Sequence, residues 1–397
     1  MGRGETGANN VIGSVSTELH NKGEVMKSIC LWIAAFFLVS WSAPAGAFAA
    51  ESSNQLLKAK QAAEAKGFMF FTSHDEIVAG AKKEGKLIVM SSQDDSSLKA
   101  ISEAFKKKYP FIDVSWQEVS GTEVYQRMIA EMKAGVANWD VNYSAPDYYL
   151  EYLSHQKKVD LLGMVRHGVL DLAPDMVDPV HRNIVALQSN AQVVVYNNSL
   201  IAPDKVPNNW EDFLKPEFQG RKFTVDVRPK VFAALVPAWG LEKVVSFAKK
   251  IAAQKPIWMR GDARMITALQ AGEFPIIMGP NYKTYIRVKA KNPKKVLDYK
   301  ALQPIPIRLS ETEGLLDNAK HLHAGLLWLE FISGPEGQKI LDEVDDSASL
   351  FTPGSVHYKL TQGKNVSVVA WDHYLKMGSY EKDIVKALGF PRPEKKR

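Results

Sequence analysis

Residues 84–93, Glu-Gly-Lys-Leu-Ile-Val-Met-Ser-Ser-Gln, constrain this chain more than any other stretch. Leu87, Ile88, Val89 and Met90 form an unbroken apolar run. It is too short for a helix core and has the length of a strand buried on both faces. The run ends in Ser91, Ser92, Gln93, Asp94 and Asp95, and a helical pattern follows with Leu98, Ile101 and Phe105 on one face. A buried strand that empties into a polar loop and then a helix begins an open α/β sheet. Ligands of such sheets sit in the crevice at the carboxyl ends of the strands. Loop 91–95 is therefore the first candidate ligand loop.

The same grammar repeats along the chain. Residues 55–84 read as a helix, a short aromatic stretch (Phe68, Phe70, Phe71) and a second helix that Ser73 and Asp75 can cap. Ile112, Val114 and Trp116 alternate as a second strand, and Ser120-Gly121-Thr122 opens a helix with Tyr125, Met128, Ile129 and Met132 on its face. Residues 139–143 form a third strand, after which Ser144 and Pro146 begin another helix. This β-α-β-α-β order predicts a parallel sheet. Residues 184–187 and 193–196 read as two strands separated by Gln188-Ser189-Asn190, with a proline-rich connection through Pro203 and Pro207. A second α/β unit follows, with strand 223–227, helix 243–253, helix 262–271, strand 274–278 and a turn at Gly279-Pro280. Residues 304–307 read as another crossing segment, 319–332 as a helix, 366–369 as a strand, and a last helix follows Asp372. Two α/β units joined by paired extended segments predict two lobes, a hinge and a cleft that closes around a ligand.

Composition sets outer limits. With 397 residues, 46% hydrophobic and 24% charged, the chain has the make-up of a globular protein of two domains. The N-terminus reads as a secretory leader: Lys27, an apolar run over 29–39, and small-residue cleavage sites at Ala45-Gly46-Ala47 and Ala47-Phe48-Ala49. Met26 stands as an alternative start. Cys30 is the only cysteine and lies inside that leader, so the mature chain has no disulfide, thiolate metal site or cysteine nucleophile. The net charge is +6, spread over helix faces such as Lys106-Lys107-Lys108 without interleaved aromatics, which argues against nucleic acid.

Several motifs have both a functional reading and a plain structural one. Residues 80–86 match most of a phosphate-binding loop, but Leu87 stands where a hydroxyl should hold magnesium, and the segment precedes a strand. A helix end stopped by Gly85 is the better reading. His321 and His323 are two apart and point away from each other, which disfavours a metal pair. Ser120-Gly121-Thr122, Ser91, Ser92 and Ser144 combine helix starts with hydroxyls and can serve either as anion donors or as caps. Arg228 ends a strand and can clamp a carboxylate or phosphate. Arg260 precedes Asp262, itself a natural cap. Asn281, Tyr282 and Tyr285 follow another strand; the tyrosines are either metal-binding phenolates or a core pair.

With these motifs the chain resembles the periplasmic solute-binding proteins of ABC importers, in the ferric-iron-type branch of extracellular solute-binding family 1. The resemblance runs over about residues 75–355. It rests on Lys82-Lys83-Glu84-Gly85-Lys86, Ala104-Phe105 through Tyr109-Pro110, Trp139-Asp140-Val141, Trp210-Glu211-Asp212-Phe213 through Gly220-Arg221, and Ser333-Gly334-Pro335-Glu336-Gly337-Gln338. It implies a periplasmic protein that delivers a solute to a permease and ATPase. Ferric members place two adjacent tyrosines after an Asn, a histidine in the first loop and a glutamate after the third strand. Here Lys283 follows Tyr282, the first loop runs Ser91 to Asp95, and Ser144-Ala145-Pro146 follows the third strand, so most iron ligands do not carry over.

The expectations are therefore a two-lobed α/β fold of the type II periplasmic-binding-protein kind, each lobe a mostly parallel sheet flanked by helices. Residues 1–50 form the leader and 51–83 a helical extension. Residues 84–188 with 305–355 form one lobe; 192–302 with 356–397 form the other. A monomer without a cofactor captures a small solute, either ferric iron as cargo or an anionic organic or phosphorus compound. Ser91, Ser92, Gln93, Thr122, Ser144, Arg228, Asn281 and Tyr282 bind it, and Tyr282 with Tyr285 hold the metal if iron is the cargo. The alternatives are a ligand-binding sensor or an enzyme on the same fold.

Overall fold

The computed structural model describes residues 45–144, 148–291 and 295–389, with side chains from Asn54 onward. Most of the expected leader, Pro146 and the basic tail 394–397 lie outside the described residues. Contacts divide the chain after Gln55 into two units; the larger, from Leu56 on, carries every strand described.

Helix α1 (Ala45–Glu64) is followed by the aromatic stretch and by α2 (His74–Glu84). The Ser73 side chain caps α2 by accepting from the Asp75 amide, and Gly85 stops it in the left-handed conformation at φ 66°. The opening strand, β1 (Lys86–Ser91), follows at once, with Leu87 and Val89 fully buried. Asp94 caps α3 (Asp95–Lys108), whose buried face carries Leu98, Ile101 and Phe105 as the spacing predicts. Then come β2 (Asp113–Glu118), α4 (Thr122–Lys133), β3 (Val141–Tyr143), α5 (Tyr149–Leu153) and α6 (Leu161–Arg166). Strands β2, β1 and β3 lie side by side and parallel.

Where the sequence predicts two short strands, residues 184–197 form one 14-residue strand, β4 (Ile184–Asn197). The polar triplet is not a turn because each side chain finds a partner beside the strand. Gln188 Nε2 donates to Gln93, Ser189 Oγ accepts from the Leu350 amide, and Asn190 Nδ2 donates to Ser310. The chain continues through β5 (Thr224–Asp226), α7 (Lys230–Trp239), α8 (Leu241–Ala253), β6 (Ile257–Met259), α9 (Asp262–Ala271) and β7 (Ile276–Asn281). Gly279-Pro280 is thus inside a strand, not a turn. Gly279 has φ 75°, and a Cβ there would meet Val231 Cγ2 at 2.4 Å, so close packing against α7 dictates the glycine.

After α10 (Tyr282–Ala290) and β8 (Leu297–Lys300) comes the second crossing segment, β9 (Ile305–Leu315). It is followed by α11 (Leu322–Ser333), α12 (Pro335–Asp345), α13 (Val356–Thr361), β10 (Val366–Val369), α14 (Trp371–Tyr374) and α15 (Met377–Leu388). The strand order is β2-β1-β3-β9-β4-β7-β5-β6, with β10 paired to β9 and β8 to β4. Strands β4 and β9 run antiparallel from Ile184 opposite Gly314 to Ala191 opposite Ile307, and this ladder is the spine joining two mostly parallel half-sheets. One apolar core packs under the first half around Phe105, Trp328 and Leu341; it includes Phe70, Phe71 and Ile77 of the expected extension. Two further cores, around Trp210 and Phe232 and around Ile277 and Tyr285, serve the second half.

Candidate ligand site

The carboxyl ends of the first half-sheet meet the spine on one short piece of β9. Ser91 is fully buried, and its Oγ donates to Glu313 Oε1 at 2.5 Å. Trp328 Nε1 donates to the other Glu313 oxygen at 3.2 Å. Burial nevertheless pushes the Glu313 carboxyl up to about 7, against the lowering effect of those two donors. Ser92 Oγ donates to Glu311, and Gln93 accepts 2.6 Å from Gln188 Nε2. The Ser144 amide donates to the Thr312 carbonyl at 2.7 Å, and its own carbonyl accepts from Thr312 Oγ1 at 2.5 Å. Four expected residues, Ser91, Ser92, Gln93 and Ser144, are thus brought to the two spine strands.

Glu311 was missed by sequence reasoning. It sits at φ 51°, the left-handed region that a non-glycine residue adopts at a cost. Burial raises its carboxyl above the usual range, opposed by Ser92 and Lys283. The Tyr143 phenol lies beside Ser92 and Glu311, its ring 5.5 Å from that of Tyr125. Thr122 is exposed at the start of α4, where Gly121 is the N-cap and no side chain among the described residues caps the helix. It does not join this group.

The second half-sheet contributes a separate polar cluster. Arg228 wraps back on Asp226: Nε donates at 3.1 Å, Nη2 at 2.5 Å, and its own amide donates to the same carboxylate at 2.8 Å. Its fork is therefore engaged within its own turn. Asn281 Nδ2 donates to Asn190 Oδ1 at 3.0 Å, and Asn190 donates to Ser310 on β9 at 2.7 Å. This relay links the end of β7 to the spine. Beside it lies a cavity of about 90 Å³ lined by Asn190, Gln192, Lys230, Asp262, Asn281 and Arg308, among others. Lys230 opens α7 and forms no side-chain ion pair or hydrogen bond among the described residues. Burial, then Arg228, lowers the affinity of its amine for a proton, while Asp262 and Asp226 oppose that shift. Burial raises the Asp262 carboxyl in turn.

The tyrosines after β7 turn inward. Tyr282 packs edge-on to Tyr299 with centroids 4.9 Å apart. Tyr285 has no exposed surface, and its oxygen accepts from Lys289 Nζ at 2.8 Å. Both phenols are held in protonated form by burial above all. Next to them, Lys283 and Arg287 both donate to Asp345 at the end of α12, and Arg287 lies 3.6 Å from Asp94. These pairs tie α10 of the second half to the first. His321 and His323 are bound to Asp140 and Glu84 at 2.8 and 2.7 Å, as anchors for the start of α11. Among the described residues no group of three His, Cys, Asp or Glu side chains is arranged to hold a metal.

A family model described as bacterial extracellular solute-binding protein matches residues 91–339. The Fe(3+)-binding periplasmic protein of Serratia marcescens is 21% identical over 271 residues, covering 66% of this chain and 77% of that protein. Mannheimia haemolytica ferric iron-binding protein A in an open conformation aligns with TM-score 0.61 at 17% identity, over 77% of this chain and 100% of that one. A Trichodesmium protein in complex with iron and citrate ligands aligns with TM-score 0.59, also at 17% identity and over 77% and 100% of the two chains. At these identities the structural matches establish a shared α/β fold.

Proposed function

Because the chain belongs to the bacterial extracellular solute-binding protein family, we propose that it is the periplasmic capture component of an ABC importer. It takes a small solute between the two half-sheets and hands it to a membrane permease driven by an ATPase. Proteins of this family are solute-binding proteins, not enzymes, so the enzyme alternative drops out. Among the described residues, the lobes in this reading fall within 84–188 with 305–355 and within 192–302 with 356–389, hinged on β4 and β9.

The observation that carries this reading is convergence. Polar ends of β1, β3 and β7 reach the spine through Ser92 to Glu311, Ser144 to Thr312, and Asn281 through Asn190 to Ser310. Strand carboxyl ends gathered at a switch in sheet direction are where α/β proteins hold ligands. The cargo in this reading is a small polar solute with an anionic group and not ferric iron. A metal held by Tyr282 and Tyr285 would have to draw both rings out of the core, separating Tyr282 from Tyr299 and breaking the bond between Tyr285 and Lys289.

Thermal melting of the full chain against ferric iron with and without citrate, phosphonates, carboxylates, polyamines and thiamine tests the proposal. A captured solute raises the midpoint, because at a hundred times Kd binding adds about 2.7 kcal/mol to folding. No shift with any solute would contradict it. A shift with ferric iron alone that disappears in Tyr282→Phe would restore the metal reading.

A further inference from the structure

We infer that the cavity between α7 and the spine, lined by Lys230, Asn190, Gln192, Asn281 and Arg308 together with the carboxylates of Asp262 and Glu381, is the seat of the ligand's oxyanion group, a carboxylate or a phosphonate or phosphate, held on the Lys230 side. The inference rests on the solute-capture reading above and specifies which chemistry the captured solute carries.

Two residues separate the arginine that the sequence singles out from the cation that faces the cavity. Arg228 is committed to Asp226 through two guanidinium nitrogens and its own amide. Lys230 lines the cavity without a side-chain ion pair or hydrogen bond among the described residues. A mostly desolvated ammonium without a direct counter-ion is costly, and an oxyanion at hydrogen-bond distance removes that cost. The surrounding charges are balanced but are placed around the ammonium, not on it. Arg228 and Arg308 oppose its charge; Asp226 and Asp262 favour it; Glu381 lines the same cavity. Arg228 is already neutralised by Asp226, so Lys230 is the cavity cation that an added negative charge would pair with directly.

The uncharged lining fits the same occupant. Gln192 Oε1 is buried without a hydrogen-bond partner among the described residues. Turning that amide by 180°, a choice the heavy-atom positions leave open, puts its NH₂ donor in the same place. Among the described residues no side chain caps α7, so its first-turn amides keep their orphan donors at the positive end of the helix dipole. Size sets the boundary: about 90 Å³ is about three times the share of one water in liquid. That leaves room for a carboxylate or phosphonate head. The remainder of the solute would lie along β9 toward Ser310 and Glu311.

Titration calorimetry on the full chain tests this with inorganic phosphate, methylphosphonate and succinate as probes. Sodium chloride at matched ionic strength is the blank, and ferric citrate and putrescine are separate arms. At least one oxyanion should bind with unit stoichiometry. Lys230→Met should weaken it about tenfold or more, as loss of a charge-assisted hydrogen bond does, while Lys249→Met on the exposed face of α8 should leave it unchanged. Lys230→Gln, which keeps a polar end, serves if the methionine variant does not fold. Equal affinity in the Lys230 variants, or no response to any oxyanion, would overturn the assignment. Binding of putrescine alone would also overturn it while leaving the solute-capture reading standing.

Discussion

His357 and Glu313 are both fully buried and titrate in opposite senses. Burial drives the His357 imidazole down to about 4, with Nδ1 3.2 Å from the Ala348 carbonyl oxygen and Nε2 unpartnered among the described residues. Its folded pKa lies below its unfolded value of 6.5, so the unfolded chain binds the proton first and stability falls as pH drops from about 6.5 toward 4. Glu313 is raised to about 7 from 4.5, so the folded chain binds the proton first and stability increases as pH falls from about 7 toward 4.5. Each contributes about 2 kcal/mol between about pH 7.5 and 5, and in the native chain they nearly cancel. His357→Gln should therefore grow more stable on acidification over this range and Glu313→Gln less stable, read as urea midpoints against pH. Parallel slopes in the two variants would refute the assignment. Neither shift is legible in the sequence, because both follow from tertiary burial. The same holds for Lys230, which the sequence sets two positions from the arginine it resembles in charge. Glu311 was invisible for another reason: nothing local marks a glutamate for a left-handed backbone.

Secondary structure was most legible where local chemistry decides it. The Ser73 cap, the Gly85 stop and the apolar run 87–90 are all local, and α2 and β1 form there as read. Gly85 has only the Phe111 carbonyl, at 3.9 Å, near the position a Cβ would take. Gly85→Ala should consequently cost about 1 kcal/mol through backbone strain alone. Gly85→Asn should cost less, since asparagine tolerates this conformation. Equal losses by chemical denaturation would point to a steric cause instead. The elements that eluded the sequence are those whose partners are distant. Gln188-Ser189-Asn190 reads as a break until the loop after β1, the Leu350 amide and β9 supply its hydrogen bonds. Strand β6 (Ile257–Met259) is only half-buried at a sheet edge and gives no periodic signal. Tyr282 and Tyr285 share a helix face as the spacing implies, yet that face turns to the core.

At the scale of the whole molecule, the proposed function requires that the two half-sheets move on β4 and β9. The cross-links from Lys283 and Arg287 to Asp345, with Arg287 near Asp94, join α10 to the end of α12 and to the loop after β1. Asp345 is buried under two cations, so it is a central cross-link between the halves. An Asp345→Asn chain should keep its fold but favour the separated arrangement, with weaker solute binding as a result. The class of fold and the existence of a seam were legible in the sequence; the contacts that hold the seam were not, because their members lie 58 residues or more apart. Small-angle X-ray scattering on the full chain, with and without the solute that stabilises it, tests the central claim most directly. Capture between closing halves predicts a smaller radius of gyration on saturation, with a reduced change in Asp345→Asn. A saturated protein with an unchanged radius of gyration would contradict it.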